Sequence, residues 1–237
     1  MPDAVRSGTA DLHVHTHFSD GADSPRDVLR WAERKRLDVI AITDHDTIEG
    51  ALEAAGVARE SRANPEVIIG EEVSSADGHI LGLFLKARVP PGLSAEETVA
   101  AIHRQGGLAV AAHPYWRHGS TDRRGYIYSV GEHVETVLFD AVEVLNGGPT
   151  PSMIAANRKA TGVTRALRLT QVGGSDAHVK HAIGWAHTRF EGGTARALRN
   201  SILTGTTRAA RSRLGLAGLQ RYAHWSIGRL RTQTATG

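Results

Sequence analysis

The 237-residue sequence contains no cysteine. It therefore forms no disulfide bond, binds no metal through thiolates and offers no thiol nucleophile. Any bound metal must be held by histidine, aspartate and glutamate, and the chain has 13 histidines and 25 carboxylates for that purpose. The sequence also lacks an apolar run near the ~20 residues that a membrane-spanning helix needs. Its first residues lack the apolar core of a signal peptide, so we predict a cytoplasmic protein without a membrane span.

Acidic residues are missing from the last part of the chain. Residues 192–237 contain eight arginines and no aspartate or glutamate, which gives this segment a charge of +8. Residues 1–191 hold 20 of the 28 basic residues and all 25 acidic residues, so their net charge is −5. The overall charge of +3 and the high pI therefore belong to the C-terminal segment. They do not indicate that the rest of the protein binds nucleic acid.

Strand-like apolar runs alternate with helix-like segments along the chain. The strand candidates are residues 10–15, 38–42, 66–70, 79–85, 108–112, 141–145 and 169–174. Several are continuously apolar, which suits parallel strands covered on both faces. A β-then-α repeat of this length predicts an α/β fold, either a parallel barrel or a doubly wound sheet. Asp77-Gly78 predicts a hairpin within this pattern, and the polar segment 115–135 predicts an inserted loop or lid.

The stretch "HVHTHFSDG", residues 13–21, places three histidines and an aspartate after the first strand candidate. Alternate side chains of a strand lie on one face, so His13 and His15 point the same way, about 6–7 Å apart. Two imidazoles on one face can share a metal ion. Ser19-Asp20-Gly21 is typical of a turn. The stretch therefore predicts one part of a metal site.

Most other strand candidates also end or begin with a histidine or a polar acidic or amide residue. These residues are Asp44, His45, Asp46, Glu71, Glu72, His79, His113, Glu143, Asn146, Asp176 and His178. In α/β barrels the active site is built at the C-terminal ends of the strands. Imidazole and carboxylate together suit Zn²⁺, Mn²⁺ or Fe²⁺, and a carboxylate can bridge two ions. Such ions generate hydroxide from water at neutral pH, so the pattern predicts a polynuclear, hydrolytic metal site.

Six motifs follow one another in a fixed order: "HVH…SDG", "TDHDT", "GEE", "HILGL", "AHP" and "SDAH". In these motifs the sequence resembles the polymerase-and-histidinol-phosphatase (PHP) family of metal-dependent phosphoesterases, over roughly residues 10–205. The resemblance implies a distorted (β/α)7 barrel with two or three divalent ions at the C-terminal ends of its strands. It implies that one ion is held by His13, His15, Glu72 and Asp176, and that another is held by Asp20, His45 and His178. A third ion would be held by Glu72 and His113, and His79 would be a ligand or a substrate contact at that ion.

The residues expected to act in catalysis are His13, His15, Glu72, Asp176 and His178. Substrate contacts are expected from Asn146 and, within the irregular segment, from Arg117 and His118, with Arg123 and Arg124 as further cations. Each has a simpler interpretation. "NGG" at 146–148 is also typical of a turn, and the cations can belong to a basic loop in solvent. Trp116 either stacks on a base or packs beneath the loop.

The function predicted from these residues is hydrolysis of phosphate monoesters or diesters by a metal-activated hydroxide. Nucleotides or short oligonucleotides are the expected substrates. An amidohydrolase on a similar barrel is an alternative, but it usually needs a carbamylated lysine at a strand end. None of Lys35, Lys86, Lys159 and Lys180 has such a position. A non-catalytic, metal-binding regulatory or polymerase-associated module is the other alternative.

The sequence predicts two parts, a barrel over residues 1–207 and a basic amphipathic extension over residues 208–237. Apolar residues recur at helical spacings of three and four within 208–232, among six arginines. Such a helix could dock on the acidic body or on a second subunit, or bind an anionic membrane or nucleic acid. Its glycines favour a further interpretation, a partly disordered extension. We favour docking on the body, since its net charge of −5 supplies the counter-charge.

Overall fold

Strands and helices alternate along most of the chain in the computed structural model, which describes residues 6–61, 65–122, 124–212 and 215–234. The strands are β1 (Ser7–Asp11), β2 (Val39–Ile42), β3 (Glu66–Ser75), β4 (Gly78–Leu83), β5 (Leu108–Ala111), β6 (Ala141–Asn146), β7 (Gln171–Gly174), β8 (Ala186–Glu191) and β9 (Arg208–Arg211). The helices are α1 (Pro25–Arg34), α2 (Glu49–Ser61), α3 (Ala95–Arg104), α4 (Pro151–Leu167), α5 (Ala195–Leu203) and α6 (Leu216–Thr234). Short 3-10 helices cover Gly131–Glu135 and Lys180–Ala182.

The described residues form one nine-stranded sheet in the order β7-β6-β5-β4-β3-β2-β1-β8-β9. The two ends of this sheet approach each other, because Val14 bridges Ala177 and the Gly173 amide of β7 donates to Thr188 Oγ1 of β8 at 2.9 Å. The result is a nearly closed barrel, which confirms the predicted α/β barrel class. The count of seven β/α units is not confirmed, because β4, β8 and β9 pair antiparallel with their neighbours.

The hairpin predicted at Asp77-Gly78 joins β3 and β4, which pair antiparallel from Gly70–Leu83 to Ser75–Gly78. Gly78 has a φ of 136°, a conformation that favours glycine. Strand β3 is longer than the predicted 66–70. Glu71 and Glu72 therefore lie within the strand rather than after it, and they point to opposite faces of the sheet.

Capping side chains begin two of the helices. Ser24 accepts the Asp27 amide ahead of Pro25 in α1, and Ser94 forms a capping box with Glu97 at the start of α3. The core lies inside and around the barrel. Strand β2 is buried along its whole length, as expected for a strand covered on both faces.

The C-terminal extension begins as a strand rather than as the predicted helix. Residues 208–211 form β9, which pairs with β8, and the helix α6 starts at Leu216. Gly218 lets α6 approach closely, since a Cβ there would lie 3.0 Å from the Trp185 ring. Tyr222 and Trp225 of α6 pack against the core cluster that contains Trp185.

The described side chains of α6 include Leu219, Tyr222 and Trp225, which make apolar and aromatic contacts with the body. Arg208, Arg211 and Arg221 form no ion pair with a carboxylate among the described residues, so the charge complementarity behind the docking prediction is not supported. The boundary between residues 207 and 208 stays a prediction. Within the described residues, no helix is long and apolar enough to cross a membrane.

Candidate metal centre

The nine residues predicted as metal ligands all converge at one end of the barrel. Their potential ligand atoms form four overlapping groups, each with its atoms within 4.8 Å of one another. The groups are His15, Asp20, His45 and His178; His13, Glu72 and His113; His13, His15 and Asp176; and His45, Glu72 and His79. The overlap of the groups favours several adjacent ions over a single isolated one.

Glu72 lies at the centre of this cluster. Its two carboxylate oxygens are 2.9–3.3 Å from one ring nitrogen of each of five histidines: His13, His15, His45, His79 and His113. Glu71, its neighbour, lies outside the cluster, where its carboxylate accepts the Val89 amide at 2.8 Å. Only Glu72 therefore has the position of a carboxylate that bridges ions.

Two aspartates complete the cluster from the loops that follow β1 and β7. Asp176 Oδ1 is 3.3 Å from His15 Nε2 and 3.4 Å from His178 Nδ1. Asp20 Oδ1 is 3.1 Å from His178 Nε2, on the opposite side of that ring. His178 thus lies between two carboxylates, and its ring also stacks on His15 at a centroid distance of 4.2 Å.

The grouping differs from the ligand sets that the family resemblance implied. His79 groups with His45 and Glu72 rather than with His113, and His15 joins the group of Asp20 as well as that of Asp176. The assignment of each ligand to an ion stays a prediction.

The donor atoms fit divalent ions. Six ring nitrogens in the cluster are buried without a hydrogen-bond partner among the described residues: His13 Nε2, His15 Nδ1, His15 Nε2, His45 Nδ1, His79 Nε2 and His113 Nδ1. Buried polar atoms without partners are rare in native proteins, because each costs free energy. Imidazole nitrogen and carboxylate oxygen are the ligands that Zn²⁺, Mn²⁺ and Fe²⁺ accept. Bound ions would therefore satisfy these nitrogens.

The ionisation of the cluster also favours bound cations. Burial opposes ionisation of Asp176, but His13 and the other facing histidines outweigh it and hold the pKa of the carboxyl well below its usual value. Burial likewise opposes ionisation of Glu72, but the facing histidines, His45 foremost, outweigh it and lower the pKa of the Glu72 carboxyl. In His13, burial is outweighed by Asp176 and Glu72, which raise the pKa of the ring well above its usual value. The carboxylates thus attract positive charge, and metal ions compete with protons for these sites.

Backbone strain accompanies the cluster. His113 and Asp176 have φ values of 29° and 52°, and Asp46, beside His45, has a φ of 53°. Such left-handed conformations are costly for residues other than glycine and are concentrated at functional sites. The side chains that follow the strand ends are therefore held in place by the surrounding fold.

Glu143 was noted at the end of its strand but was not predicted as a site residue. Its Oε1 lies 3.1 Å from His13 Nδ1, and its Oε2 accepts the His113 amide at 2.9 Å. A carboxylate that accepts from Nδ1 turns the other nitrogen of His13 toward Glu72 and Asp176. Its position on the strand was the available signal, but its pairing with His13 joins residues 130 positions apart.

Asp44 likewise supports the cluster from outside it. It accepts the Thr16 amide at 2.7 Å and the Ser19 hydroxyl at 2.6 Å. These bonds fix the turn between His15 and Asp20. Asp44 thus supports the candidate ligands through this loop.

The predicted substrate contacts lie in different surroundings. Asn146 is buried, and its amide donates to Glu143 and to Asp176 Oδ2, each at 3.1 Å. Its visible role is to connect these carboxylates. His118 pairs with Glu132 at 3.0 Å. Substrate contact by Asn146 and His118 stays a prediction.

Arginines of the irregular segment lie near the cluster. Arg117 covers the rings of Trp116 and Tyr128 at 4.8 and 5.3 Å, and these rings contact His113 and His79. Arg124 pairs with Asp46 and Asp122. Arg123 lies outside the described residues. Of these cations, Arg117 has the position best suited to an anion at the cluster.

Comparisons with known proteins agree with this geometry. The profile of the PHP domain family matches residues 11–190. The uncharacterized protein MJ1587 of Methanocaldococcus jannaschii is 39% identical over 148 residues, which cover 58% of this chain and 81% of that protein. The 3′,5′-nucleoside bisphosphate phosphatase of Chromobacterium violaceum is 38% identical over 84 residues, 34% of this chain and 29% of that enzyme. A two-domain protein from Bacteroides vulgatus, described as containing a PHP-like metal-dependent phosphoesterase, has a similar fold with a TM-score of 0.70 and 20% identity, over 88% of this chain and 66% of that one.

Proposed function

Because this chain belongs to the PHP family of metal-dependent phosphoesterases, we propose that it hydrolyses phosphate esters of nucleotides or short oligonucleotides with two or three divalent ions. The observation that carries the proposal is the position of Glu72, within 2.9–3.3 Å of five histidines, two of which also face Asp176. The bisphosphate phosphatase supports a nucleotide substrate, although the match covers only 29% of that enzyme. The predicted cytoplasmic location also stays part of the proposal.

The residues that would hold the ions are His13, His15, Asp20, His45, Glu72, His79, His113, Asp176 and His178. When bound, Mn²⁺, Zn²⁺ or Fe²⁺ would supply an electrophile for the phosphoryl oxygens and lower the pKa of a water. Glu72 would hold adjacent ions, since it belongs to two of the candidate ligand groups. Asp20, with its pKa lowered chiefly by His178 against the effect of burial, stays ionised and adds negative charge beside that ring.

Other groups of the chain then act on the substrate. Arg117 offers a cation close to His79 and His113, through the aromatic rings that it covers, and would bind a phosphoryl oxygen. Glu143 orients His13 through Nδ1. Lys159 and Lys180 form ion pairs with Glu132 and Asp23. These positions do not favour the amidohydrolase alternative.

The proposal is tested by metal analysis and by a substrate panel. The double variant His13→Ala and His15→Ala should lose bound metal and lower hydrolysis of a nucleoside monophosphate by at least ~100-fold, because direct ligands matter more than their supports. His17→Ala is the matched control from the same motif, since His17 is exposed and stacks on Phe18. Chelator treatment of the wild type should stop turnover, and Mn²⁺ should restore it. Retained metal and turnover in the double variant would contradict the proposed site, and no hydrolysis of any phosphate ester by metal-loaded wild type would contradict the proposed activity.

A further inference from the structure

A pocket separate from the metal centre lies between α4 and the strands β6, β7 and β9. Its volume is about 490 Å³, within the usual range for small-molecule sites. Helix α4 lines it with one face, from Ile154 to Arg165, and the strands contribute Val144, Leu145 and Ala209 among others. None of the lining residues belongs to the candidate metal ligands, so the pocket is a distinct feature of the molecule.

Three arginines line this pocket, which we call the arginine pocket. They are Arg158 and Arg165 of α4 and Arg211 of β9. No carboxylate lines the pocket among the described residues, and none of the three arginines forms an ion pair with a carboxylate there. Their positive charges are therefore not balanced by the protein around them.

The sequence explains this imbalance. Residues 144–175 contain no aspartate or glutamate, and neither do residues 192–237. Every lining residue of the arginine pocket comes from one of these two acid-free segments, which the fold brings together where β9 lies beside α4. Positive charges collected in one concave place attract an anion and repel one another in its absence.

The polar groups on the wall of the pocket are held in place. Arg211 Nη2 donates to the Asn146 carbonyl at 3.2 Å, which leaves other N–H groups of the guanidinium for a ligand. Asn157, which also lines the pocket, exchanges two hydrogen bonds with the main chain of Asn146, at 3.0 and 2.9 Å. Groups that are already oriented lose less conformational freedom when a ligand binds.

The rest of the lining is largely apolar and limits the class of ligand. Val144, Leu145, Ile154 and Ala209 offer aliphatic surface beside the arginines. A ligand that uses the whole pocket therefore has an apolar part as well as a negative charge. Three guanidinium groups exceed what one carboxylate can balance, whereas a phosphate carries more charge and accepts paired hydrogen bonds from arginine.

We propose that the arginine pocket binds a small organic phosphate, with its phosphate group on the arginines and its apolar part on Val144, Leu145 and Ile154. It is a second ligand site, away from the atoms that would react at the metal centre. The inference goes beyond the proposed function and does not depend on it. It also assigns a role to Arg211, which lies in the basic C-terminal segment outside the matched residues 11–190.

The probe for this site is phenylphosphonate, because it joins an anionic phosphonate to an apolar ring and its C–P bond is not hydrolysed. It is titrated calorimetrically into the metal-loaded protein. The double variant Arg158→Gln with Arg165→Gln removes two charges from exposed positions of α4, where glutamine supports a helix about as well as arginine. We expect this variant to bind the probe at the pocket at least about tenfold more weakly, because charge-assisted hydrogen bonds are lost.

The matched control is Arg104→Gln with Arg196→Gln, which removes the same charge from exposed positions of α3 and α5 and should bind like the wild type. Arg158→Lys with Arg165→Lys keeps the charge but not the planar donor group, so its affinity should lie between those of the wild type and the glutamine variant. Metal content and melting temperature show whether each variant is folded, and the lysine variant serves if the glutamine variant is not.

Probe bound at the metal centre is identified with the double variant His13→Ala and His15→Ala, which should lose that binding and keep the binding at the pocket. Three results would overturn the inference: binding in the wild type only at the metal centre, wild-type affinity in the glutamine variant, or an equal loss of affinity in the control. The proposed function is tested by hydrolysis and can fail while the pocket still binds the probe, so the two failures are distinguishable.

Discussion

Replacing Glu143 with glutamine tests how far the cluster depends on a residue outside the candidate ligand groups. The carboxylate has three donors around it: the Nδ1 of His13 at 3.1 Å, the His113 amide at 2.9 Å and the Asn146 amide at 3.1 Å. Two carboxylate oxygens can accept all three. Glutamine has one oxygen, and its NH₂ group would face at least one of these donors.

At least one buried donor therefore loses its partner in Glu143→Gln. This costs about 1–3 kcal/mol, which in a domain of this size lowers the melting temperature by roughly 2–10 °C. His13 also loses the charged acceptor that sets its orientation. Loss of such a support lowers metal affinity by about 10–100-fold.

Competition with a chelator of known affinity measures the metal affinity, and thermal unfolding measures the stability. Glu191→Gln is the matched control, because it removes an exposed carboxylate at the end of β8. We expect the control to behave like the wild type in both assays. If Glu143→Gln kept wild-type metal affinity and melting temperature, the argument from the three donors would be refuted.

The remaining predictions concern the adjacent residues of β3. Glu72→Gln should lose bound metal and lower turnover by at least ~100-fold. Glu71→Gln should keep both the metal and the turnover, since the Glu71 carboxylate accepts the Val89 amide instead. Equal losses in the two variants would show that the assignment of Glu71 and Glu72 to opposite faces of β3 is wrong. Burial raises the pKa of Glu71 to about 7 from 4.5, so the folded state holds a proton that the unfolded state releases between these pH values. Wild-type stability should therefore fall relative to Glu71→Gln from pH 5 to pH 8, by about 3 kcal/mol at most, as denaturant titrations of both proteins would show. A difference that did not change with pH would contradict this account.

The barrel was predictable from the sequence where strands are continuously apolar. Strand β2, "VIAI", is buried on both faces, and its pattern indicates this directly. Strands β8 and β9 were not predicted, because polar and charged residues obscure both. In β8, "AHTRFE", polar and charged residues interrupt the apolar ones, and in β9, "RAAR", both ends are arginine. The pairing of β8 with β1 and of β9 with β8 stabilises these strands, whose own residues do not favour strand formation.

The convergence of the nine candidate ligands was also predictable, because each follows or occupies a strand whose direction in the barrel is fixed by the β/α repeat. The supporting residues were not. Glu143 and Asp44 act through hydrogen bonds to residues 130 and 28 positions away. A carboxylate at a strand end can belong to the candidate metal ligands or can support one of them. Its role depends on the register of the strand and on the direction of its side chain, and a sequence motif specifies neither of these. The local structure of residues 208–211 was mispredicted for a related reason, since their arginines conceal a strand.

The position of α6 bears on how relatives should be used to infer a substrate. The family match ends at residue 190, and α6 begins at Leu216. Hydrolysis of the ester bond depends on the cluster, which the matched region contains in full. Choice among esters depends on contacts away from the phosphorus atom, and Trp225, whose ring lies 4.8 Å from that of His178, is outside that region. Relatives that share the barrel can therefore share the reaction without sharing the substrate. The name of a relative therefore supports phosphoester hydrolysis by this chain more strongly than it supports any particular nucleotide substrate. The match to the bisphosphate phosphatase covers only 29% of that enzyme, so most of the residues that could contact its substrate are not compared.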